Sequence, residues 1–91
     1  MVTILGSHLC KGCQGVMAVM KEEGLEAEFL DITKDLGYMK RFLRLRETTP
    51  ELMKNMLAED RVGIPLFILA DGTITVDKEA GIQAMRDELK K

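Results

Sequence analysis

The hydrophobic residues of this chain recur with two different spacings, and each spacing predicts a different kind of element. A near-continuous apolar run over residues 2–5 is typical of a strand that is buried on both faces. Residues 25–32 alternate apolar and acidic positions before an apolar finish, which predicts a second strand. Pro65 opens a third apolar run at residues 66–70, and residues 73–76 alternate threonine with apolar residues. The Asp71-Gly72 pair between these last two runs predicts a two-residue hairpin turn.

The segments between the predicted strands carry the spacing of one helix face. The inward positions would be Cys13, Val16, Met17 and Met20, then Leu36, Met39, Phe42 and Leu43, then Leu52, Met53, Met56 and Leu57, and finally Ile82, Met85, the aliphatic part of Arg86, and Leu89. Thr33, Thr49 and Asp77 suit helix N-caps, Pro50 suits a first helical position, and Gly24 suits a C-terminal end. We expect two consecutive helices, or one bent at Thr48-Thr49, followed by a loop over residues 58–63. Gly15 inside the first helix costs roughly 1 kcal/mol relative to alanine, which indicates a close backbone contact there.

These elements follow one another in the order β-α-β-α(α)-β-β-α. A strand, a short helix and another strand predict a right-handed parallel crossover, and the later pair of strands adds an antiparallel hairpin. The predicted fold class is therefore α/β, with a four-stranded mixed sheet flanked by helices. The chain of 91 residues is long enough for one small domain, and neither a repeat nor a flexible linker interrupts it. We expect a single domain over residues 1–91.

Composition and charge remove several classes of function. The chain is 46% hydrophobic and 31% charged, which is typical of a globular protein. Its net charge is −2 and no basic stripe is interleaved with aromatic residues, so we expect no nucleic-acid partner. The apolar runs are too short to span a membrane, and the N-terminus does not resemble a signal peptide. We therefore expect a cytoplasmic protein, a monomer, with no membrane partner.

The two cysteines of the chain lie together in Cys10-Lys11-Gly12-Cys13, at the start of the first predicted helix. Their spacing closes too small a loop for a stabilising cross-link, so a structural disulfide is a poor reason for the pair. The unpaired N–H groups of the first helical turn and the helix dipole favour a thiolate there, and Lys11 adds a full positive charge. Since the thiolate is the species that attacks a disulfide, we predict that Cys10 attacks and that Cys13 resolves the intermediate.

The cysteine pair is also compatible with two roles outside redox chemistry. The cysteines would suit half of a metal site, but zinc takes four ligands and His8 is the one further protein ligand nearby. Both thiols could instead be inert core residues. His8 would favour the Cys10 thiolate when protonated, although an exposed loop residue without a role is the simpler interpretation.

The pairing of this motif with Ile64-Pro65 carries a resemblance to a known family. With the cysteines after the first strand and the X-Pro pair roughly fifty residues later, before the third strand, the chain resembles the thioredoxin fold. Its short length, without an extra N-terminal strand and helix, makes it similar to the glutaredoxins over essentially its whole length. The resemblance implies that Pro65 follows a cis peptide bond and faces the dithiol, and that Ile64 offers its backbone N–H and C=O to a substrate.

The chain also departs from the glutaredoxin pattern. Lys11-Gly12 replaces the usual Pro-Tyr, and Ser7 stands where the family has a lysine. Residues 76–80 replace the glycine-rich turn that holds the γ-glutamyl end of glutathione, although a helix start remains at Asp77. Lys11, or the helix face with Arg41 and Arg44, is the candidate for the missing cation. Dithiol exchange is therefore better supported than the use of glutathione, which we expect as a co-substrate and not as a resident cofactor.

The sequence thus predicts a small thiol–disulfide oxidoreductase without a metal ion. Its catalytic residues would be Cys10 and Cys13, and its substrate-binding residues would be Ile64, Pro65, Lys11 and Asp77. Its substrates would be disulfide-containing or glutathionylated proteins, with electrons from glutathione or a reductase. The alternative is a carrier of Cu(I) or another soft metal that uses His8, Cys10 and Cys13, because soft thiolates select such metals. The long helical region between residues 33 and 63 argues against the small copper-binding domains that have a similar loop.

Overall fold

The computed structural model describes residues 1–58 and 62–90, apart from the side chains of residues 55–58. In chain order its elements are β1 (Thr3–Gly6), α1 (Lys11–Glu23), β2 (Glu28–Asp31), α2 (Leu36–Thr48), α3 (Pro50–Ala58), β3 (Leu66–Ile68), β4 (Ile74–Thr75) and α4 (Lys78–Leu89). This order confirms the prediction, with two consecutive helices between β2 and β3. The second strand is shorter than predicted because Leu25 still serves the preceding helix, donating its N–H to the Met20 carbonyl over 2.9 Å.

The four strands form one mixed sheet in the order β2-β1-β3-β4. Strand β1 pairs in parallel with β2 and in antiparallel with β3, and β3 pairs in antiparallel with β4. Successive residues of a strand point to opposite faces, and Ile4 and Leu5 of the interior strand β1 are both fully buried. The predicted mixed sheet and the strand buried on both faces are confirmed.

Helices cover both faces of the sheet, so the core has two parts. One part joins the sheet to α1 and α4, and its buried residues are Val2, Ile4, Val16, Met20, Leu25, Phe67 and Met85. The other joins the opposite face to α2 and α3, and its buried residues are Leu5, Leu30, Ile32, Phe42, Met53 and Leu66. Most of the stabilisation of these short helices comes from this apolar burial, because isolated helices of such length are marginal in water.

Two of the predicted helix ends are confirmed. Gly24 ends α1 in the left-handed conformation, with φ 68°, which glycine adopts without steric cost. Asp77 caps α4, where its carboxylate accepts a hydrogen bond of 3.0 Å from the Glu79 N–H.

The predicted cap at Thr33 is wrong, and the one at Thr49 is correct in position but not in its side-chain bond. Asp35 caps α2 by accepting from the Tyr38 N–H, because Thr33 is already engaged by Asp31, whose carboxylate accepts the Thr33 N–H at 2.9 Å. Thr49 directly precedes α3, as predicted, and its carbonyl accepts the Met53 N–H at 3.1 Å. Its hydroxyl, however, donates to the Leu45 carbonyl of α2 at 2.7 Å.

Several residues predicted to face inward are exposed to solvent. They are Met17 at 41%, Leu36 at 78%, Leu43 at 44% and Leu89 at 58%. Each lies at the edge or the end of its helical stripe, beyond the width that the sheet covers. Met56 and Leu57 were also predicted to face inward, and their side chains lie outside the described residues, as do residues 59–61 of the predicted loop.

The hairpin between β3 and β4 has a three-residue turn instead of the predicted two. Leu69 donates its N–H to the Thr73 carbonyl at 2.8 Å, which leaves Ala70, Asp71 and Gly72 between them. Gly72 has φ 90°, and glycine is favoured in that conformation. The Asp-Gly pair therefore predicted the hairpin correctly, but the turn is one residue longer than predicted.

The close contact that the sequence indicated for a helical glycine lies on a different helix. Nothing lies within 4 Å of the position that a Cβ would take at Gly15, so the predicted contact there is wrong. On α4, a Cβ at Gly81 would overlap the ring of Phe67 from β3. The close approach of helix and sheet therefore occurs at α4.

None of the helices in the described part of the chain combines the length and the apolar character needed to cross a membrane.

Candidate functional site

The loop before α1 is held in place by a buried serine. Ser7 is 2% exposed, and its carbonyl accepts the Cys10 N–H at 3.1 Å. The Ser7 hydroxyl also accepts the Leu9 N–H at 3.1 Å and lies 3.0 Å from the Thr33 hydroxyl. Ser7 therefore orients the loop that carries the first cysteine, in the position where the glutaredoxins have a lysine.

Cys10 lies at the N-terminal end of α1 and faces the Ile64-Pro65 segment. It is the N-cap residue of the helix, with an extended backbone, and its sulfur accepts the Cys13 N–H at 3.4 Å. The same sulfur lies 3.9 Å from the Ile64 carbonyl oxygen, and the Ile64–Pro65 peptide bond is cis, as the resemblance implied. Four of the predicted site residues are thus brought together, and the Cys10 thiol remains half-buried and open to solvent on one side.

Cys13 occupies a very different environment although it is only three residues further along. Both cysteines are free thiols, but Cys13 is 1% exposed. Burial raises the pKa of the Cys13 thiol to about 12, because a thiolate there would lose its hydration. A hydrogen bond from the Ser7 backbone offsets part of that rise, whereas the neighbouring Cys10 adds to it. At neutral pH the Cys13 thiol is therefore protonated.

This raised pKa predicts a loss of stability in alkaline solution. Between pH 9.0, the ordinary pKa of this thiol, and about 12, the unfolded chain loses the Cys13 proton while the folded chain keeps it. The free energy of unfolding of the reduced protein should therefore fall by about 1.4 kcal/mol per pH unit from this group alone. Urea denaturation at several pH values under a phosphine reductant measures the slope. Cys13→Ala should remove this part of it, and an identical slope in both proteins would contradict the assignment.

A glycine at the end of β1 makes room for the buried thiol. A Cβ at Gly6 would lie 2.8 Å from the Cys13 sulfur and 3.2 Å from the Phe29 ring. Only glycine leaves space for the sulfur behind the end of this strand. The position of Gly6 between an apolar run and the loop was the one available signal in the sequence, and it did not distinguish a turn from a close contact.

His8 is directed to an acidic partner on the neighbouring strand. Its Nδ1 lies 2.7 Å from the Asp31 carboxylate, and its backbone N–H donates to the same carboxylate at 3.1 Å. Partial burial acts to raise the pKa of Asp31, but hydrogen bonds from Thr33 and His8 outweigh it and hold that pKa below its usual range. The His8 Nδ1 is therefore occupied by the link between the loop and β2.

That pairing bears on the metal-carrier alternative, which needs His8 together with both cysteines. Within residues 1–58 and 62–90, the structure places no group of three or more His, Cys, Asp or Glu side chains where they could hold a metal ion. The three predicted ligands do not converge in the arrangement that the structure describes.

Among the described residues, no side-chain hydrogen bond or ion pair joins the remaining predicted site residues to the dithiol. Lys11 is exposed at the first position of α1, and the Asp77 carboxylate is used as the cap of α4. Asp77 also lines a groove that includes Val19 and Glu23 of α1. Arg41 and Arg44 are exposed on α2, and no hydrogen bond or ion pair among the described residues links them to Cys10. The roles of Lys11 and Asp77 in substrate binding stay predictions.

Lys78 places a positive charge near the dithiol, although in its segment, residues 76–80, the sequence pointed only to the helix start at Asp77. Its ammonium nitrogen lies 3.6 Å from the position that a Cβ would take at Gly12, and the Cys10 sulfur lies 3.8 Å from the same point. The first residue of α4 reaches this position because the sheet brings the start of that helix to the start of α1. No local pattern indicates this position, because it depends on where the sheet places the start of α4.

Comparison with models of protein families, with curated proteins and with solved structures returned no match to this chain.

Proposed function

We propose that this chain is a small thiol–disulfide oxidoreductase, similar to the glutaredoxins and with the thioredoxin fold. The observation that supports this best is the contrast between its two thiols. Cys10 is partly exposed as the N-cap of α1, where its sulfur accepts the Cys13 N–H, whereas Cys13 is buried and that burial raises the pKa of its thiol. If both cysteines were inert core residues, both would be buried. A structural disulfide would not require one thiol to be exposed and the other buried.

The proposed reaction transfers two electrons from the dithiol to a substrate disulfide. The Cys10 thiolate attacks one sulfur of the substrate, forming a mixed disulfide and releasing the other substrate sulfur as a thiolate. The sulfur of Cys13 then attacks Cys10 Sγ, giving up its proton to the released thiolate or to water. The second substrate thiolate leaves and takes a proton from solvent. The products are two substrate thiols and a Cys10–Cys13 disulfide.

The first step of this reaction prepares the second. Besides burial, both a hydrogen bond with the Cys10 side chain and the charge of Cys10 raise the pKa of Cys13. Once Cys10 Sγ is bound in a mixed disulfide it carries no charge, so these two causes are removed while burial remains. Cys13 therefore becomes easier to deprotonate when an intermediate is present for it to attack, and stays protected before that.

The Ile64-Pro65 segment forms the other side of the proposed docking site. Because the Ile64 carbonyl lies 3.9 Å from the Cys10 sulfur, a substrate that reaches the sulfur also meets this backbone. Substrates would be disulfide-containing or glutathionylated proteins, and glutathione or a reductase would return the electrons.

The proposal is tested by redox equilibration in buffers of reduced and oxidised glutathione. After acid quenching and labelling with a maleimide polymer, both thiols should disappear together in one two-electron step, with a midpoint between about −270 and −200 mV. The reduced protein should also reduce 2-hydroxyethyl disulfide about tenfold faster per dithiol than a synthetic peptide of residues 8–15, which has the same local sequence without the fold. A protein no faster than the peptide would overturn the proposal. Supplying either glutathione or a thioredoxin reductase then identifies the electron donor.

A further inference from the structure

The start of α4 places a positive charge on the same side of Cys10 as the proposed docking site. The point beside Gly12 that lies 3.6 Å from the Lys78 ammonium also lies 3.6 Å from Pro65 Cδ and 3.8 Å from the Cys10 sulfur. Because both atoms lie so close to this one point, the Lys78 ammonium and the Cys10 sulfur are also near each other. A substrate disulfide that approaches Cys10 past Pro65 must pass within reach of this ammonium.

The backbone that carries Lys78 is fixed. Asp77 holds the first turn of α4 through its carboxylate, bonded to the Glu79 N–H at 3.0 Å, and through its carbonyl, bonded to the Gly81 N–H at 3.0 Å. Three residues into the helix, Gly81 lies directly against the buried Phe67 ring. The lysine therefore projects from an anchored helix start, and only its own side-chain torsions are free.

The acidic residues that flank Lys78 do not share its position beside the sulfur. Asp77 and Glu79 line the groove that includes Val19 and Glu23 of α1. The chain as a whole carries a net charge of −2, so a cation at the dithiol differs in sign from the average surface. Such a charge acts most strongly on a group held within a few ångströms, where screening by salt is weakest.

We propose that Lys78 is a specificity-determining residue that favours disulfides carrying a carboxylate next to the scissile sulfur. The substrate preference rests on the proposed dithiol function. The effect of the Lys78 charge on the potential at Cys10 does not. The carboxylate can belong to a small disulfide or to an acidic residue beside a cysteine in a peptide, because the ammonium recognises the same group in both. A cationic disulfide would be disfavoured by the same charge.

The electrostatic part is tested with two methanethiosulfonate reagents of similar size, one sulfonated and anionic, the other trimethylammonium and cationic. Both need the thiolate, so the ratio of their rates at Cys10 cancels any change in thiolate fraction and reports the local potential alone. At an ionic strength of about 0.01 M, Lys78→Gln should lower the anion-to-cation ratio about fivefold and Lys78→Glu about twentyfold. Lys78→Arg should retain the wild-type ratio. Both the wild-type chain and Cys13→Ser serve as backgrounds, since Cys13 is 1% exposed.

Lys90 supplies the matched control on the same helix. α4 has 12 residues, and a rise of about 1.5 Å per residue places Lys90 roughly 18 Å from Lys78. Lys90→Glu changes the net charge as Lys78→Glu does and should leave the reagent ratio within about twofold of wild type. Equal effects of the two reversals, or no effect of either, would overturn the proposal.

The substrate part uses disulfides that differ only in charge. The first set consists of three small disulfides: dithiodipropionate is anionic, 2-hydroxyethyl disulfide is neutral and cystamine is cationic. The second set consists of two peptides whose cysteine forms a mixed disulfide with mercaptoethanol; one peptide has Asp beside that cysteine and the other has Asn. The wild-type protein should reduce the anionic member of each set fastest, and Lys78→Glu should lose that preference. If the preference is seen only with the small molecules, or only with the peptides, that set identifies the kind of substrate that carries the carboxylate. If the reduction rate did not depend on the charge of the disulfide, the proposed role of Lys78 would be overturned but the dithiol function would not. Reduction of none of them would overturn the dithiol function, while the reagent ratio would still decide the placement of Lys78.

Discussion

Replacement of Cys10 by serine should abolish disulfide reduction, with a fall in rate of roughly 10³-fold or more, because a hydroxyl is a far weaker nucleophile than a thiolate. Replacement of Cys13 by serine should have a different effect. Its first step remains possible, so the protein should accumulate a stable mixed disulfide between Cys10 and one half of the substrate. The reason is the difference in access: Cys10 is half-buried, whereas Cys13 is 1% exposed and protonated at neutral pH.

Intact-mass measurement after mixing with 2-hydroxyethyl disulfide separates these outcomes. Cys13→Ser should gain the mass of one mercaptoethanol unit, and the gain should vanish on reduction. Cys10→Ser should gain nothing on the same timescale, and the double variant controls for non-specific attachment. An adduct that forms on Cys10→Ser but not on Cys13→Ser would reverse the order of attack. Circular dichroism of each variant confirms that the comparison is between folded proteins.

Gly81→Ala should destabilise the protein by about 2–3 kcal/mol, although alanine is the better helix former. A methyl group there would lie 2.5 Å from ring carbons of Phe67, which is fully buried. The ring cannot withdraw without displacing other core residues: Val2, Ile4, Val16 and Met85 belong to the same buried cluster. For a chain of this size, such a loss lowers the melting temperature by about 10 °C or more.

Gly15 provides the matched substitution at an open position. Nothing lies within 4 Å of its would-be Cβ, so Gly15→Ala should stabilise the protein by up to about 1 kcal/mol. Thermal and urea denaturation of the two variants should therefore give shifts of opposite sign. Gly81→Ala should also cost less in a Phe67→Leu background than in the wild type, because the smaller side chain relieves the overlap. Equal shifts for both alanine variants would contradict the close helix–sheet contact.

The element order was predictable because it depends on local periodicity. The apolar run at residues 2–5, the helical spacing after Cys10 and the Asp71-Gly72 pair each report the conformation of the few residues around them. The caps were harder to assign. Asp35 took the position predicted for Thr33 because Asp31 competes for the threonine, a contact between strand end and loop that no local pattern reports.

The exposed apolar residues show a second limit of periodicity. Leu36 and Leu43 belong to the same helical stripe as the fully buried Phe42, yet they are 78% and 44% exposed. A repeat indicates the direction of a buried face but not its width, which depends on how much of the helix the sheet covers. The exposure of these leucines therefore follows from the packing of α2 and not from their spacing.

By itself the sequence determined the mixed α/β order, the pair of thiols at a helix start and the Ile64-Pro65 segment before the third strand, because these follow from short-range patterns and one family resemblance. Only the tertiary structure decided that Cys13 is buried against Gly6, that α4 approaches the sheet closely at Gly81 while Gly15 of α1 has no close contact, and that Lys78 lies near Cys10. Those three facts depend on which distant elements meet. Burial, steric fit and the position of a charge are properties of the space between elements, and a linear pattern does not contain them.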